Sequence, residues 1–279
     1  MTFPLDSVRV KMARADRHVR DLKIEVDTLV RAAEQTIFRE NDEDSTKLVY
    51  RIGHVPDIDP TISAIIGDAV SNIRAAFDHL AWQLVLADNG VPCEHTQFPI
   101  YDSRLNDKGN PRNVTIQPRI LNSDILQALD LIQPYQTTDT DGHVDAWRNQ
   151  LWIVRQLSNI DKHRLLIAVV VDVNFDDRPP YWGSSSAGVP VSNFYPFRAL
   201  KSGDKIAAFD FRGTRAPADF DPHMSLGVTL DEGPEAHEIR LQGVPALLHG
   251  LRHILTGRIN QHFMAFFPTD PGIPWPDPL

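Results

Sequence analysis

Three ionisable side chains lie close together in the segment Gly67–Leu84. At about 100° per residue on a helix, Arg74 and Asp78 share one flank of the apolar face and stand four residues apart, which allows an ion pair. The other flank carries four polar residues: Asp68, Asn72, His79 and Gln83. A guanidinium can hold a phosphate and an imidazole can transfer a proton. This helix is therefore the first candidate site.

A second polar cluster ends a predicted helix further along the chain. Its polar stripe follows three- and four-residue steps: Asn149, Trp152, Gln156, Asn159 and His163. Lys162 and Arg164 flank His163 and add positive charge. The predicted first helix carries a third stripe: Arg14, His18, Asp21 and Glu25. Either the three stripes converge on a polar pocket between helices or each faces water, and periodicity does not decide between the two.

Composition narrows the class of protein. A chain of 279 residues with 42% apolar and 23% charged residues is typical of a folded globular protein. Its formal charge of -9 disfavours a broad nucleic-acid surface and leaves room for a local basic site. Phosphate loops and dinucleotide-binding glycine motifs are absent from the sequence.

The location of the protein follows from what the sequence lacks. Cys93 is the single cysteine, which fits a reducing compartment and excludes an intrachain disulfide. No stretch has the apolar length of a membrane helix, and the first ten residues lack the pattern of a signal peptide. We therefore expect a cytoplasmic protein that does not enter a membrane.

Apolar periodicity predicts the elements that position these side chains. Five helices are expected: Val8–Glu40, Thr61–Asp88, Asn122–Ile132, Val144–His163 and Val244–Phe263. Five strands are expected from β-branched and alternating runs: Lys47–Val55, Leu165–Asp172, Lys205–Arg212, Met224–Leu230 and His237–Leu241.

Helices first, then strands, then a final helix predict an α+β fold. We expect an N-terminal helical bundle packed on a mainly antiparallel C-terminal sheet, with a closing C-terminal helix. The helical bundle region spans residues 1–164 and the strand-rich region with the C-terminal helix spans 165–279. Because both terminal helices can dock on the bundle, we expect the two regions to form one integrated domain.

Three motifs in the first 170 residues resemble a widespread family of uncharacterised bacterial proteins. They are Gly-Asp followed by Asn-x-Arg-x-Ala-x-Asp-His-Leu-Ala-Trp at 67–82, Gln-Phe-Pro-Ile at 97–100, and Asn-x-Asp-Lys-His-Arg at 159–164. The resemblance implies a shared site and no particular chemistry. Nine positions are implied: Asn72, Arg74, Asp78, His79, Asn159, Asp161, Lys162, His163 and Arg164.

Arg74 and His79 also form an Arg-x-x-x-x-His pattern, which is similar to the motif of HEPN domains, helical bundles that include metal-independent ribonucleases. The resemblance implies that His79 acts as general acid or base on the 2′-hydroxyl or leaving oxygen, while Arg74 holds the phosphate. Asn72 and Asp78 would complete the catalytic set. The sequence departs from the pattern at Ala75, where the family often has a polar residue.

The same resemblance assigns a substrate-binding cluster and partners. Four residues would bind the substrate: Asn159, Lys162, His163 and Arg164. RNA is the implied partner, no cofactor is required, and a site at a helix-to-helix interface implies a homodimer.

Two other hypotheses stay open at this point. A divalent metal ion is the first, because inward-facing histidines and carboxylates hold ions in helical bundles. The candidate ligands are His18, His79 and His163, with Asp21 or Glu25 nearby, or His249 with His253. The second is a binding or assembly protein that catalyses nothing, in which the polar stripes fix the register of a helix interface.

Overall fold

The computed structural model contains both helices and antiparallel strands, in the order one helix, two strands, three helices, three strands and a final helix among the described residues. The structure describes residues 3–41, 46–106, 108–110, 116, 120, 122–172, 199–211, 215, 226–231 and 243–279. Five α-helices lie in these ranges: α1 (Asp6–Glu34), α2 (Pro60–Ala87), α3 (Ser123–Leu131), α4 (Gln150–Asp161) and α5 (Val244–His262). Short 3-10 turns lie between α3 and α4, at Pro134–Gln136 and Ala146–Arg148, and after α5, at Met264–Phe266. The predicted α+β class is confirmed, including the closing C-terminal helix.

The strands form two antiparallel groups. Their bounds are β1 (Ile37–Asn41), β2 (Lys47–Ile52), β3 (Ala168–Asp172), β4 (Lys205–Asp210) and β5 (Leu226–Leu230). One sheet has the order β1-β2-β4, and β3 pairs with β5 in the other. Four of the predicted strands appear here, and the predicted strand His237–Leu241 lies outside the described residues.

The end of the first helix differs from the prediction. α1 ends at Glu34, whereas the periodic pattern extended it to Glu40. Residues Ile37–Asn41 instead pair with β2, with Ile37 opposite Ile52. Strand pairing supplies these residues with backbone partners, and it overrides the helical tendency of the flanking sequence.

Asparagine side chains set the starts of two shorter helices. The Asn122 carboxamide oxygen accepts hydrogen bonds from the N–H groups of Asp124 and Ile125 at the start of α3. Asn149 accepts from Leu151 N–H at 2.9 Å at the start of α4. These caps satisfy donors that have no partner in the first turn. The second cap explains why α4 begins at Gln150 rather than at the predicted Val144.

The chain divides into two compact units, each built from separate segments. Unit 1 comprises Met1–Leu22, Ser63–Leu166 and Pro245–Leu279, and unit 2 comprises Lys23–Ile62 and Ile167–Val244. Unit 1 contains most of α2 and all of α3 and α4, and unit 2 contains all five strands. The C-terminal helix thus lies in the same unit as α3 and α4 from Pro245 onward.

Both ends of the described chain meet in unit 1 at the buried carboxylate of Asp270. Its Oδ2 accepts a hydrogen bond from Leu5 N–H at 2.8 Å, and its Oδ1 accepts from Gly272 N–H at 2.9 Å. The guanidinium of Arg9 forms an ion pair with the same carboxylate. Four residues after Asp270, the backbone oxygen of Pro274 accepts a hydrogen bond from Nη2 of Arg252 at 3.0 Å.

The length and the apolar character of a helix decide whether it can cross a membrane. Of the helices in the described ranges, none combines the length and the apolar character that crossing a bilayer requires.

We predict that Asp270→Asn lowers the free energy of unfolding at pH 7 by about 2 kcal/mol, because a charged partner of Arg9 is lost. Burial raises the pKa of Asp270, but the bonds from Arg9, Leu5 and Gly272 outweigh it and the net shift is downward from 3.8. This contribution is present above pH 3.8 and is lost as pH falls through the lowered pKa. Urea denaturation at several pH values should show the two proteins converging in acid.

The control for this prediction is Asp27→Asn. Asp27 forms an exposed ion pair with Lys23 on α1, at 2.8 Å. Exposed pairs contribute little, so we expect a change of less than about 1 kcal/mol. Equal effects of the two substitutions would contradict the role given to Asp270.

Candidate functional site

The segment Gln97–Ile100 is held in place by side chains, and no strand among the described residues pairs with it. Phe98 N–H donates to Asp78 Oδ1 at 2.9 Å, and Arg74 Nη2 donates to Phe98 O at 3.0 Å. Because buried backbone groups need partners, these two residues of α2 do for Phe98 what a paired strand would do. The Phe98 ring packs edge-on against Phe77 at 5.0 Å between ring centroids.

Two further helices complete this arrangement. Gln133, which follows α3 and is 0% exposed, donates to Pro99 O at 3.0 Å and accepts from Tyr101 N–H at 2.8 Å. Arg155 of α4 donates to Ile100 O at 3.0 Å. Side chains from α2, the end of α3 and α4 therefore converge on one extended segment, and they bring charged groups together around it.

Arg74 and Asp78 form an ion pair at 2.9 Å that is largely buried, with side-chain exposures of 16% and 31%. Burial lowers the pKa of the Arg74 guanidinium; Asp78 opposes this shift and the second guanidinium, of Arg155, adds to it. Burial also raises the pKa of Asp78, against the opposing effect of Arg74. Nη1 of Arg74 is buried and has no hydrogen-bond partner among the described residues. One donor of the charged group is thus left unused.

This pair borders a cavity of about 550 Å³ within unit 1. Arg155 and Asn159 of α4 and Lys162, which follows this helix, also line the cavity. Arg155 also forms an ion pair with Asp102 at 2.7 Å. Lys162 is exposed and has no ion-pair partner among the described residues. Three cationic side chains and one carboxylate thus line the cavity, in a chain whose overall charge is negative.

His79 lines a different cavity, of about 330 Å³, with Ser7, Trp82 and Gln83. Asp78 and Thr96 line both cavities. Burial and the nearby Lys11 lower the pKa of His79, with Asp78 opposing them, so the imidazole is neutral at pH 7. Successive residues on a helix point about 100° apart, which explains why Asp78 reaches the larger cavity and His79 does not.

The helices α2 and α4 cross closely at Gly67. A Cβ atom at this position would lie 1.9 Å from Oδ1 of Asp161, so the glycine leaves room for the carboxylate. Ser71 Oγ donates to Asp161 Oδ2 at 3.4 Å. Burial raises the pKa of Asp161. Two of the sequence motifs therefore meet in space, through Gly67 in the first and Asp161 in the third.

The predicted residues separate into three groups. Arg74, Asp78, Asn159 and Lys162 line the larger cavity together, and His79 lines the smaller one. Asn72 donates to Asp68 O at 2.8 Å along its own helix and lines neither cavity. His163 and Arg164 are exposed and also line neither. The geometry thus places half of the predicted substrate-binding cluster beside Arg74.

The polar stripes do not converge as one set of histidine ligands. In the described ranges, one group of three candidate metal-ligating side chains lies within 4.8 Å: Asp139, Asp141 and His143. His18, His79 and His163 form no such group in these ranges. Of the third stripe, on α1, Arg14, Asp21 and Glu25 are exposed. Because His18, His79 and His163 do not lie within reach of one ion, the geometry does not support the histidine metal site. Exposed acidic groups such as those of Asp139 and Asp141 are common without an ion.

Arg155 and Gln133 are the site residues that sequence reasoning missed. Arg155 stands four residues before Asn159 and seven before Lys162, which is the spacing of one helix face and could have indicated it. Nothing in the sequence indicated Gln133, because its role is to bond the backbone of Pro99 and Tyr101.

Comparison with protein-family profiles, with curated proteins and with solved structures finds no match for this chain. The two resemblances inferred from the motifs stay predictions.

The crossing of α2 and α4 can be tested with Gly67→Ala. We predict that the added methyl group displaces the Asp161 carboxylate, and that this cost outweighs the preference of a helix for alanine, so that the free energy of unfolding falls by about 1 kcal/mol. Adding Asp161→Ala to the same protein should recover part of the loss, since the clashing atoms are removed. Denaturant unfolding of the three proteins measures this.

Gly250→Ala is the matched control. Gly250 lies inside α5, and a Cβ there meets nothing within 4 Å. Alanine favours a helix interior over glycine, so we expect a gain of about 0.5 to 1 kcal/mol. A stabilising effect of Gly67→Ala would contradict the close crossing.

Proposed function

We propose that the chain binds an anionic ligand through a phosphate group, in the cavity between Arg74 and Lys162. The observation that carries the proposal is that three cationic side chains, Arg74, Arg155 and Lys162, line one cavity with a single carboxylate. A phosphate group bound among them would offset this excess of positive charge.

Phosphate suits this set of side chains. A guanidinium offers several donors in a planar fork, and phosphate presents several acceptor oxygens to more than one cation at a time. Arg74 and Arg155 also repel each other, as the pKa of Arg74 indicates. A bound anion would offset this repulsion, and the flexible Lys162 side chain can close over it.

The charge of the whole chain favours a compact anion over a long one. Nucleic acids are bound mainly by many phosphate contacts to clustered Lys and Arg, and the chain carries a formal charge of -9. A single ligand in one cavity needs no such surface. The volume of about 550 Å³ lies within the range of small-molecule sites.

The experiment is calorimetric titration of the protein with pyrophosphate at low and high salt. We predict binding that weakens as salt increases, and a loss of about tenfold in affinity for Lys162→Gln, since one charged hydrogen bond is lost. Lys162 is chosen because Arg74 and Arg155 also hold the Phe98–Ile100 backbone. Lys201→Gln removes the same charge from an exposed position of unit 2 and should bind as the unaltered protein does. No heat of binding, or equal affinities for all three proteins, would overturn the proposal.

Cleavage of RNA at the same place is the second candidate. It is favoured by the wall that the two cavities share at Asp78 and Thr96, since a phosphodiester beside Arg74 would place its next sugar towards His79. The neutral His79 imidazole could then take the proton of a 2′-hydroxyl. The HEPN resemblance also implies a dimer, which light scattering on the same samples would measure.

We predict that a labelled single-stranded RNA is cleaved without added metal, and that His79→Ala abolishes cleavage while circular dichroism stays unchanged. Because the pKa of His79 is lowered from 6.5, its base form persists into acid, and the rate should fall only as pH drops through that lowered pKa. His54→Ala, at an exposed position of unit 2, is the control and should cleave normally. Loss of stability without loss of cleavage would favour the assembly hypothesis.

A further inference from the structure

We infer that the smaller cavity is a ring-binding subsite, so that the two cavities together take a planar heteroaromatic ring joined to a phosphate by a short hydroxylated linker. The inference rests on the proposed phosphate site and adds the class of ligand. Its basis is the chemistry of the six residues around the cavity: Ser7, Asp78, His79, Trp82, Gln83 and Thr96.

Trp82 supplies the stacking surface. Its side chain borders the cavity, is 43% exposed, and has no ring contact with the described residues. By contrast, Phe77 and Phe98 are buried and pack edge-on against each other. An indole face left open beside a cavity can stack on a flat ring, and such stacking tolerates different rings.

His79 and Gln83 supply hydrogen bonds at the edge of a ring. They stand three residues before and one after Trp82 on α2, and they line the same cavity. Neither side chain has a hydrogen-bond partner among the described residues. A carboxamide offers both a donor and an acceptor, and a neutral imidazole offers one of each. Ring nitrogens and exocyclic amino or hydroxyl groups match these partners, whereas a plain hydrocarbon ring does not.

Asp78 lies where a linker between the ring and the phosphate would pass. Its Oδ1 is occupied by Arg74 and Phe98 N–H, while Oδ2 has no partner among the described residues. An ionised carboxylate only accepts hydrogen bonds, so Oδ2 fits a hydroxyl group of the linker. Thr96 lines both cavities at the same wall.

This chemistry fits a mononucleotide, with a purine or pyrimidine ring on a sugar phosphate. A phosphorylated pyridine has the ring and the phosphate but joins them by a methylene group without a hydroxyl. Calorimetric titration distinguishes them when AMP and pyridoxine 5′-phosphate are compared with ribose 5-phosphate, which has no heteroaromatic ring. We expect at least one ring-bearing ligand to bind about tenfold more tightly than ribose 5-phosphate, as stacking on one indole provides. The ligand that gains more identifies the source.

Variants of Trp82 test whether this side chain is the source of the higher affinity for a ring-bearing ligand. In Trp82→Ala the affinity for the ring-bearing ligand, divided by the affinity for ribose 5-phosphate, should fall to about one. Trp82→Phe should restore part of this ratio. Leu86→Ala removes an exposed apolar side chain one turn further along α2, outside both cavities, and should keep the full ratio. Thermal unfolding confirms that each variant is folded.

The outcomes separate the two proposals. Binding of ribose 5-phosphate that Lys162→Gln weakens, with no gain from any ring, would support the phosphate site and overturn the ring subsite. A gain that persists in Trp82→Ala would also overturn it. No binding of any of the three ligands would overturn both.

Discussion

The need of one extended segment for hydrogen-bond partners organises the helical unit of this protein. Phe98, Pro99, Ile100 and Tyr101 pair with no strand in the part of the chain that the structure describes, and α2, α4 and the residue after α3 supply hydrogen bonds to their backbone. A buried peptide group cannot be left unpaired without a cost of the order of 1 to 3 kcal/mol. Charged side chains therefore lie inside the unit, and the cavity is cationic because three of the side chains that line it are positive and one is negative.

The apolar part of the same segment shows why the position is fixed. The Phe98 ring lies 5.0 Å from that of Phe77 and 6.1 Å from that of Phe263, measured between centroids. Packing of this ring joins α2 to the residue that follows α5. Backbone bonds and ring contacts thus act on one residue, and a change at either would move the wall of the candidate site.

Sequence patterns predicted what depends on neighbours along the chain. The apolar period gave α2 within one residue at each end, and the four-residue spacing of Arg74 and Asp78 indicated their ion pair. β1 was missed because its pairing with β2 is a contact between elements that no helical period records. The partner of Arg74 and Asp78 was missed for a similar reason: they bond the backbone of Phe98, and backbone groups carry no sequence signal.

The carboxylate of Asp270 also has a consequence for the order of synthesis. Leu5 precedes α1, and its N–H is bonded by a side chain 265 residues later in the chain. Closing so long a loop is slow, and a growing chain emerges from its N-terminal end first. During synthesis, the start of α1 therefore lacks its hydrogen bond to Asp270 until after the strands of unit 2 have been made. A nascent chain stalled before residue 270 would hold an incomplete unit 1, exposed to chaperones and proteases.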